Sequence, residues 1–360
     1  MTPIRLAVVS HAGVVEENQG VYAALGRHGV AVDVVVPARW RNEYATDLRP
    51  TAHPGLEGAV HPVRVVLAGR PQRHLYVARC SRVLRGVRPD VLLVEEEPFS
   101  LAAAEWSRAA RALGVPFGVQ LAETLDRRLP AVARRIRNDV LARASFVVAR
   151  SPAAARLASS WGARGRVEVV PHSVVPVALR AEPGPPPTVA FVGRLVADKG
   201  VTDLLAAMEH LGGDARLLVA GDGPLRDLVA GAGPRVTWLG STSHADVDRV
   251  YAAAHVTCVP SRTTPRWSEQ FGRVVVESLV RGVPVVASSS GELPWVLAQT
   301  GGGVLVEERD PVALGAALRG LLEDPAGAAA LGAQGRRGVL EHFTDDAAAT
   351  LLAALVATIS

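Results

Sequence analysis

Short apolar runs alternate with amphipathic stretches along nearly all of this chain, and that rhythm restricts its fold more than any other feature. Runs of four to eight β-branched or apolar residues set between helical patterns build parallel strands joined by crossover helices. The pattern predicts strands over 4–10, 31–36, 63–67, 90–95, 116–121, 145–149 and 167–170, with helices between most of them. A second series is predicted over 188–193, 216–221, 236–240, 256–260, 284–287 and 304–306. Between the two series lies a stretch holding Pro176, Pro183, Gly184, Pro185, Pro186 and Pro187, which neither continues a helix nor pairs in a sheet. The expectation is an α/β chain with one doubly wound domain over 1–173, a linker over 174–187 and a second domain over 188–343. A last helical segment, 344–360, follows a break near His342.

Composition narrows the class. With 49% hydrophobic and 21% charged residues the chain has enough apolar surface to offset the entropy of ordering. Its longest apolar runs fall well short of the roughly 20 residues that span a bilayer. Only Cys80 and Cys258 are present, and Met1 opens no basic-then-apolar leader, so a cytoplasmic chain without disulfides is expected. Charge is divided unevenly: residues 1–180 carry 25 Arg against 15 acids, whereas 181–360 carry 20 acids against 13 Arg and one Lys. The basic half suits either a solvated arginine-rich face or contact with an anionic acceptor or membrane surface. Arg127, Arg128, Arg134, Arg135 and Arg137, before and along a predicted helix over 131–142, concentrate that choice. Lys199 is the only lysine, and an ammonium on a flexible stem is not interchangeable with a planar guanidinium.

In doubly wound sheets ligands bind at the carboxyl ends of the strands, so the strand-to-helix loops carry the chemistry. One such loop runs Gly193-Arg194-Leu195-Val196-Ala197-Asp198-Lys199-Gly200, where Arg194 and Lys199 are spaced to bracket a diphosphate. Another, Gly221-Asp222-Gly223-Pro224, is a low turn whose glycines let a ligand approach the backbone. A third, Ser268-Glu269-Gln270-Phe271-Gly272-Arg273-Val274, leads into a helix that carries Glu277. If that helix begins near Gly272, Glu277 lies on the order of 7 Å along its axis. Glu269 and Glu277 can then hold hydroxyls at two ends of one nucleotide sugar, and Glu277, flanked by Val276 and Val280, needs a partner.

With Gly193-Arg194 and Lys199-Gly200, Gly221-Asp222-Gly223-Pro224, Pro260-Ser261 and then Glu269 with Glu277 in this order, the chain resembles the retaining nucleotide-sugar glycosyltransferases of family 4. That is the GT-B group of sucrose synthases and phosphatidylinositol mannosyltransferases, with two Rossmann-like domains facing across a cleft and a Glu-x7-Glu motif, here Glu269 to Glu277. The likeness is specific over 188–310 and looser over 1–173. It implies transfer of a hexose from a UDP- or GDP-sugar to a hydroxyl acceptor, without metal or cofactor. It further implies that Arg194, Lys199 and Glu269 act at the reacting centre. Gly193, Gly221, Gly223, Phe271, Gly272, Arg273, Val274 and Glu277 would line the donor, with the base near Leu239 and Gly240. The leaving phosphate would assist same-face attack by the acceptor, and the last helix would cross back to the N-terminal domain.

The first half departs from the family. Ser10-His11-Ala12-Gly13 stands where many members have Gly-Gly, Ala122 occupies the usual His position, and His172 replaces an Asn. On the acceptor side the candidates are His11, Gly13, Glu97 and Glu123, all near predicted strand ends. Ten scattered histidines make no metal motif. Two other classes remain open: a nucleotide-sugar epimerase on the same architecture, and a nucleic-acid binder suggested by pI ≈ 9.6. No nucleic-acid module accompanies that charge.

Overall fold

The computed structural model describes residues 3–41, 46–180, 183–241 and 244–359, with the side chains of 244–246 outside that description. The chain forms two compact units, Met1–Ser173 with Asp345–Ser360, and Val174–Thr344.

The first unit is built on seven strands: β1 (Ile4–Val9), β2 (Val30–Pro37), β3 (Val60–Val63), β4 (Val91–Val94), β5 (Phe117–Leu121), β6 (Phe146–Ala149) and β7 (Arg166–Val169). Their order is β7-β6-β5-β4-β1-β2-β3, with every neighbouring pair parallel. The reversal of strand order falls between β1 and β4, where Val9 pairs with Val94. β4, β6 and the Leu6–Val9 part of β1 are buried throughout, as expected of strands covered on both faces. Burying each Val or Leu there contributes roughly 1.5–3 kcal/mol.

The strand predicted over 63–67 is displaced. The sheet instead takes Val60–Val63, and Val65–Val66 turns away to pair antiparallel with Leu75–Tyr76. Pro62 supplies no N–H, which an edge strand such as β3 tolerates.

The second unit has six strands: β8 (Thr188–Val192), β9 (Arg216–Ala220), β10 (Val236–Trp238), β11 (Val256–Val259), β12 (Val285–Ser288) and β13 (Gly303–Val306). Their order is β10-β9-β8-β11-β12-β13, again all parallel, with the reversal between β8 and β11. Local sequence sets several helix starts. Ser151, Asp310 and Asp324 each accept a backbone N–H three residues on and are each followed by proline, whose fixed φ suits a first helical position.

The stretch expected as a linker is tied to the second unit from its first residue. Val174 N–H donates to Phe343 O at 2.8 Å, and Arg336 Nη2 donates to Val177 O at 2.7 Å. The last helix, Asp345–Ala357, belongs to the first unit, where Ala348, Ala349, Leu352, Leu355 and Val356 share a core with Leu6, Val8 and Tyr22. Ser173 Oγ donates to Asp345 Oδ1 at 2.6 Å where the chain re-enters. Among the described residues no helix is long and apolar enough to cross a membrane.

Candidate functional site

In the second unit, the loops after β8 and β11 meet the segment that precedes the helix Arg273–Leu279. They enclose a cavity of about 110 Å³ whose lining includes Lys199, Ser261, Glu269, Gly272, Arg273 and Val274. Lys199 Nζ donates to Glu269 Oε2 at 2.6 Å, Ser261 Oγ donates to the same oxygen at 2.8 Å, and the ammonium lies 4.9 Å from the centre of the Trp267 ring. Glu269 is buried, so this carboxylate needs the cation and the hydroxyl to offset its lost hydration. Glu277 sits one helical turn on from Arg273, accepting Arg273 Nε at 2.9 Å and the hydroxyl of buried Tyr251 at 3.3 Å. That is the partner its apolar setting requires.

The glycine-rich loops form one backbone layer. Gly193 N–H donates to Ala220 O at 2.9 Å, Gly221 N–H to Gly240 O at 2.8 Å, and Leu195 N–H to Asp222 O at 2.9 Å. At Gly221, with φ of 141°, a Cβ would stand 1.9 Å from Gly193 O, so only glycine permits this approach. Gly272 has φ of 79° at the helix start, and a Cβ there would meet Leu293 at 2.3 Å.

The structure thus gathers Lys199, Glu269, Gly272, Arg273 and Val274 around one cavity and sets Glu277 beside Arg273. Gly193, Gly221 and Gly240 are joined through their backbones, and Gly223 is drawn in by its N–H, which donates to Asp222 Oδ1 at 2.6 Å. Arg194 and Leu239 are exposed and outside the cavity lining. Phe271 corrects one expectation: its ring belongs to the core, edge-on to Phe343 at 5.5 Å, rather than to the cavity wall. Trp267 and Tyr251 were missed by sequence reasoning, because nothing local marks them. Ser261 follows a strand-end proline, which is a signal for its loop but not for its role.

In the first unit, three consecutive carboxylates after β4 take three different partners. Glu95 pairs with Arg150 at 2.5 Å. Glu96, almost fully buried, accepts both the backbone N–H of His11 at 3.0 Å and the His11 ring at 2.8 Å. Glu97 turns inward, its Oε1 accepting the backbone N–H groups of Ala122 at 3.0 Å and Glu123 at 3.2 Å while Oε2 is sealed without a partner. Burial, reinforced by the Glu123 charge, pushes the Glu97 carboxyl up to about 8 against those two bonds and Arg127. Glu123 is buried and ion-paired with Arg127 at 2.6 Å, and Gly13 N–H donates to Ser10 Oγ at 2.9 Å. Of the acceptor-side candidates His11 is the one held by a buried acid, with 24% of its side chain exposed. Glu96 itself escaped the sequence reading. Among the described residues no group of three or more His, Cys, Asp or Glu is placed to hold a metal ion.

Known proteins match both units. A glycosyl transferase 4-like domain model matches residues 12–172, and the model of glycosyl transferases group 1 matches 179–338. A GDP-mannose-dependent alpha-(1-6)-phosphatidylinositol monomannoside mannosyltransferase of Mycobacterium tuberculosis is 28% identical over 359 residues, 91% of this chain and 90% of that one. A D-inositol 3-phosphate glycosyltransferase of Mycobacterium marinum is 37% identical over 166 residues, but these are 43% of this chain and only 34% of the relative. The chain thus matches well under half the length of that relative. Sucrose-phosphate synthase from Thermosynechococcus elongatus has the same fold, with a TM-score of 0.74 at 20% identity over 99% of both chains. An Anabaena protein solved in complex with UDP gives 0.75 at 18%, over 99% of this chain and all of that one. With one glycosyltransferase model on each parallel-sheet unit, a full-length mannosyltransferase relative and these structural neighbours, the chain belongs to the family 4 glycosyltransferases of GT-B architecture.

Proposed function

We propose that this chain moves a hexose from a nucleoside diphosphate sugar to a hydroxyl, with retained anomeric configuration and without a bound metal. The observation that carries this reading is the Lys199–Glu269 pair at 2.6 Å in the second unit's cavity. An ammonium and a buried carboxylate side by side suit a ligand that brings phosphate oxygens to one and sugar hydroxyls to the other. Lys199, with Arg194 on the same loop, would stabilise charge growing on the diphosphate as the glycosidic bond breaks. Glu269 would hold the transferred sugar and Glu277 the ribose.

The full-length relative named for GDP-mannose favours a guanine nucleotide, and the neighbour bound to UDP makes uracil the competing choice. Relatives named for inositol phosphate and phosphatidylinositol substrates favour a phosphate-bearing acceptor, which the arginine excess of residues 1–180 also suits. For a lipid-linked acceptor the protein would work peripherally at a membrane surface.

The test is thermal-shift binding of GDP, UDP and ADP, without added metal, to wild type and Lys199→Ala. A ligand at 100 times its Kd stabilises the native state by about 2.7 kcal/mol. One nucleotide should raise the wild-type melting point and lose most of that effect in the variant. If none of the three does so, the donor assignment fails.

A further inference from the structure

The Lys199 ammonium meets an aromatic ring that takes no part in the cavity wall. Trp267 lies outside the cavity lining, yet Lys199 Nζ stands over its ring, 4.9 Å from the centroid. Indole is the best of the aromatic faces for a cation, and the attraction acts within about 6 Å. Any effect of this ring on a ligand in the cavity must therefore pass through Lys199.

We propose that Trp267 is a positioning residue whose face keeps the Lys199 ammonium aimed at a diphosphate oxygen of the donor once that oxygen has drawn it from Glu269. The inference rests on the glycosyl-transfer reading above and deepens it within the second unit.

Lys199 Nζ is engaged by Glu269 Oε2 at 2.6 Å and by the indole face. In the proposed transfer the carboxylate turns to a sugar hydroxyl and the ammonium to a phosphate oxygen, so the bond between them no longer places either group. Glu269 keeps Ser261 Oγ, which donates to the same oxygen at 2.8 Å. The ammonium sits on a flexible four-carbon stem and keeps the indole. It has three donors, so one N–H can face the ring while others reach phosphate.

The ring is tied to the loop that it serves. Residues 264–267 form a tight turn in which Thr264 N–H donates to Trp267 O at 2.8 Å and Trp267 N–H to Thr264 Oγ1 at 3.0 Å. Just before the turn, Thr263 donates through both its N–H and its Oγ1 to Glu308, each at 2.6 Å. Arg262 N–H donates to Asp198 O at 2.7 Å, and Arg262 Nε donates to buried Asp203 at 2.6 Å. The loops after β8 and β11 are thereby joined on either side of Lys199 in sequence. The guanidinium–carboxylate bond is charge-assisted and resists a drift of the ring away from the ammonium.

The test exploits the lone lysine. In the full chain labelled with ¹³C,¹⁵N-lysine, every lysine side-chain NMR signal comes from Lys199. In wild type the indole should shift the ε-methylene protons to lower frequency, and that shift should persist with nucleotide bound. Trp267→Phe should keep part of it, and Trp267→Leu should abolish it. Titration calorimetry with GDP, UDP and ADP gives the second readout. Trp267→Leu should weaken whichever nucleotide wild type binds by about 3- to 30-fold, and Trp267→Phe should recover part of that loss. Should the leucine variant fail to fold, the phenylalanine variant decides alone: a smaller shift must come with weaker binding, and unchanged binding overturns the role. With nucleotide bound to wild type, three results overturn the positioning role and leave the donor site standing: a lysine signal unmoved by Trp267→Leu, a ring shift lost on binding, or equal affinity in the leucine and phenylalanine variants. No nucleotide binding to wild type overturns the glycosyl-transfer reading and the role of Trp267 with it.

Discussion

Replacing Glu97 with glutamine should remove most of the protein's loss of stability between about pH 4.5 and 8. Burial holds the Glu97 carboxyl at about 8 in the folded chain, against an ordinary value of 4.5. Over that interval the native state keeps a proton that the unfolded state releases. The linkage relation then makes stability fall as pH rises, by about 1.4 kcal/mol per pH unit for one proton. Across the whole interval the loss is at most about 5 kcal/mol, complete above pH 8 and absent below pH 4.5. Glutamine keeps an oxygen for the Ala122 and Glu123 N–H groups and cannot ionise. Its NH₂ group would sit where Oε2 has no partner, a penalty of about 1–3 kcal/mol that does not vary with pH. The diagnostic quantity is therefore the slope rather than the offset. Urea midpoints of wild type and Glu97→Gln, measured at half-unit steps from pH 5 to 9 with a probe in the first unit, read it directly. Parallel pH profiles for the two proteins would refute the reasoning, because Glu97 would then be ionising freely in the folded state.

Other perturbations test the second unit and the chain's return. Gly221→Ala places a Cβ 1.9 Å from Gly193 O at a left-handed φ, so the melting point should fall by several degrees and nucleotide-induced stabilisation should be lost. An unchanged melting curve would show that the loops after β8 and β9 do not need this close approach. Glu269→Gln should leave nucleoside diphosphate binding within about threefold while weakening the nucleotide sugar by about tenfold, corresponding to about 1.4 kcal/mol in titration calorimetry. Equal weakening of both ligands would place Glu269 on the diphosphate instead. Asp345→Ala removes the acceptor of the Ser173 hydroxyl, which should cost about 1 kcal/mol and raise amide exchange in the last helix. Exchange unchanged there would mean that its apolar face alone holds the return.

Much of the fold is legible in the sequence, because parallel strands buried on both faces must be continuous apolar runs. Strand β3 was misplaced because a Val–x–Pro–Val stretch has no clear period, and its membership in the sheet depends on a free edge beside β2. Among site residues, those legible in advance stand in short local patterns: Lys199 as the lone lysine, Gly221 and Gly272 at turns, and Glu269 with Glu277 across one helix start. Phe271 sits in the same pattern yet turns into the core against Phe343, since motif spacing does not settle which way a ring points.

The run Glu95-Glu96-Glu97 marks the sharper boundary. Read alone it is three equivalent acids, whereas the fold pairs one with Arg150, one with His11 and one with backbone N–H groups. Local periodicity and turn chemistry determine strands, helix starts and loops, because they act between residues a few positions apart. The Lys199–Glu269 and His11–Glu96 pairs span 70 and 85 residues, and only the tertiary structure decides them, because the register of neighbouring parallel strands brings their loops together.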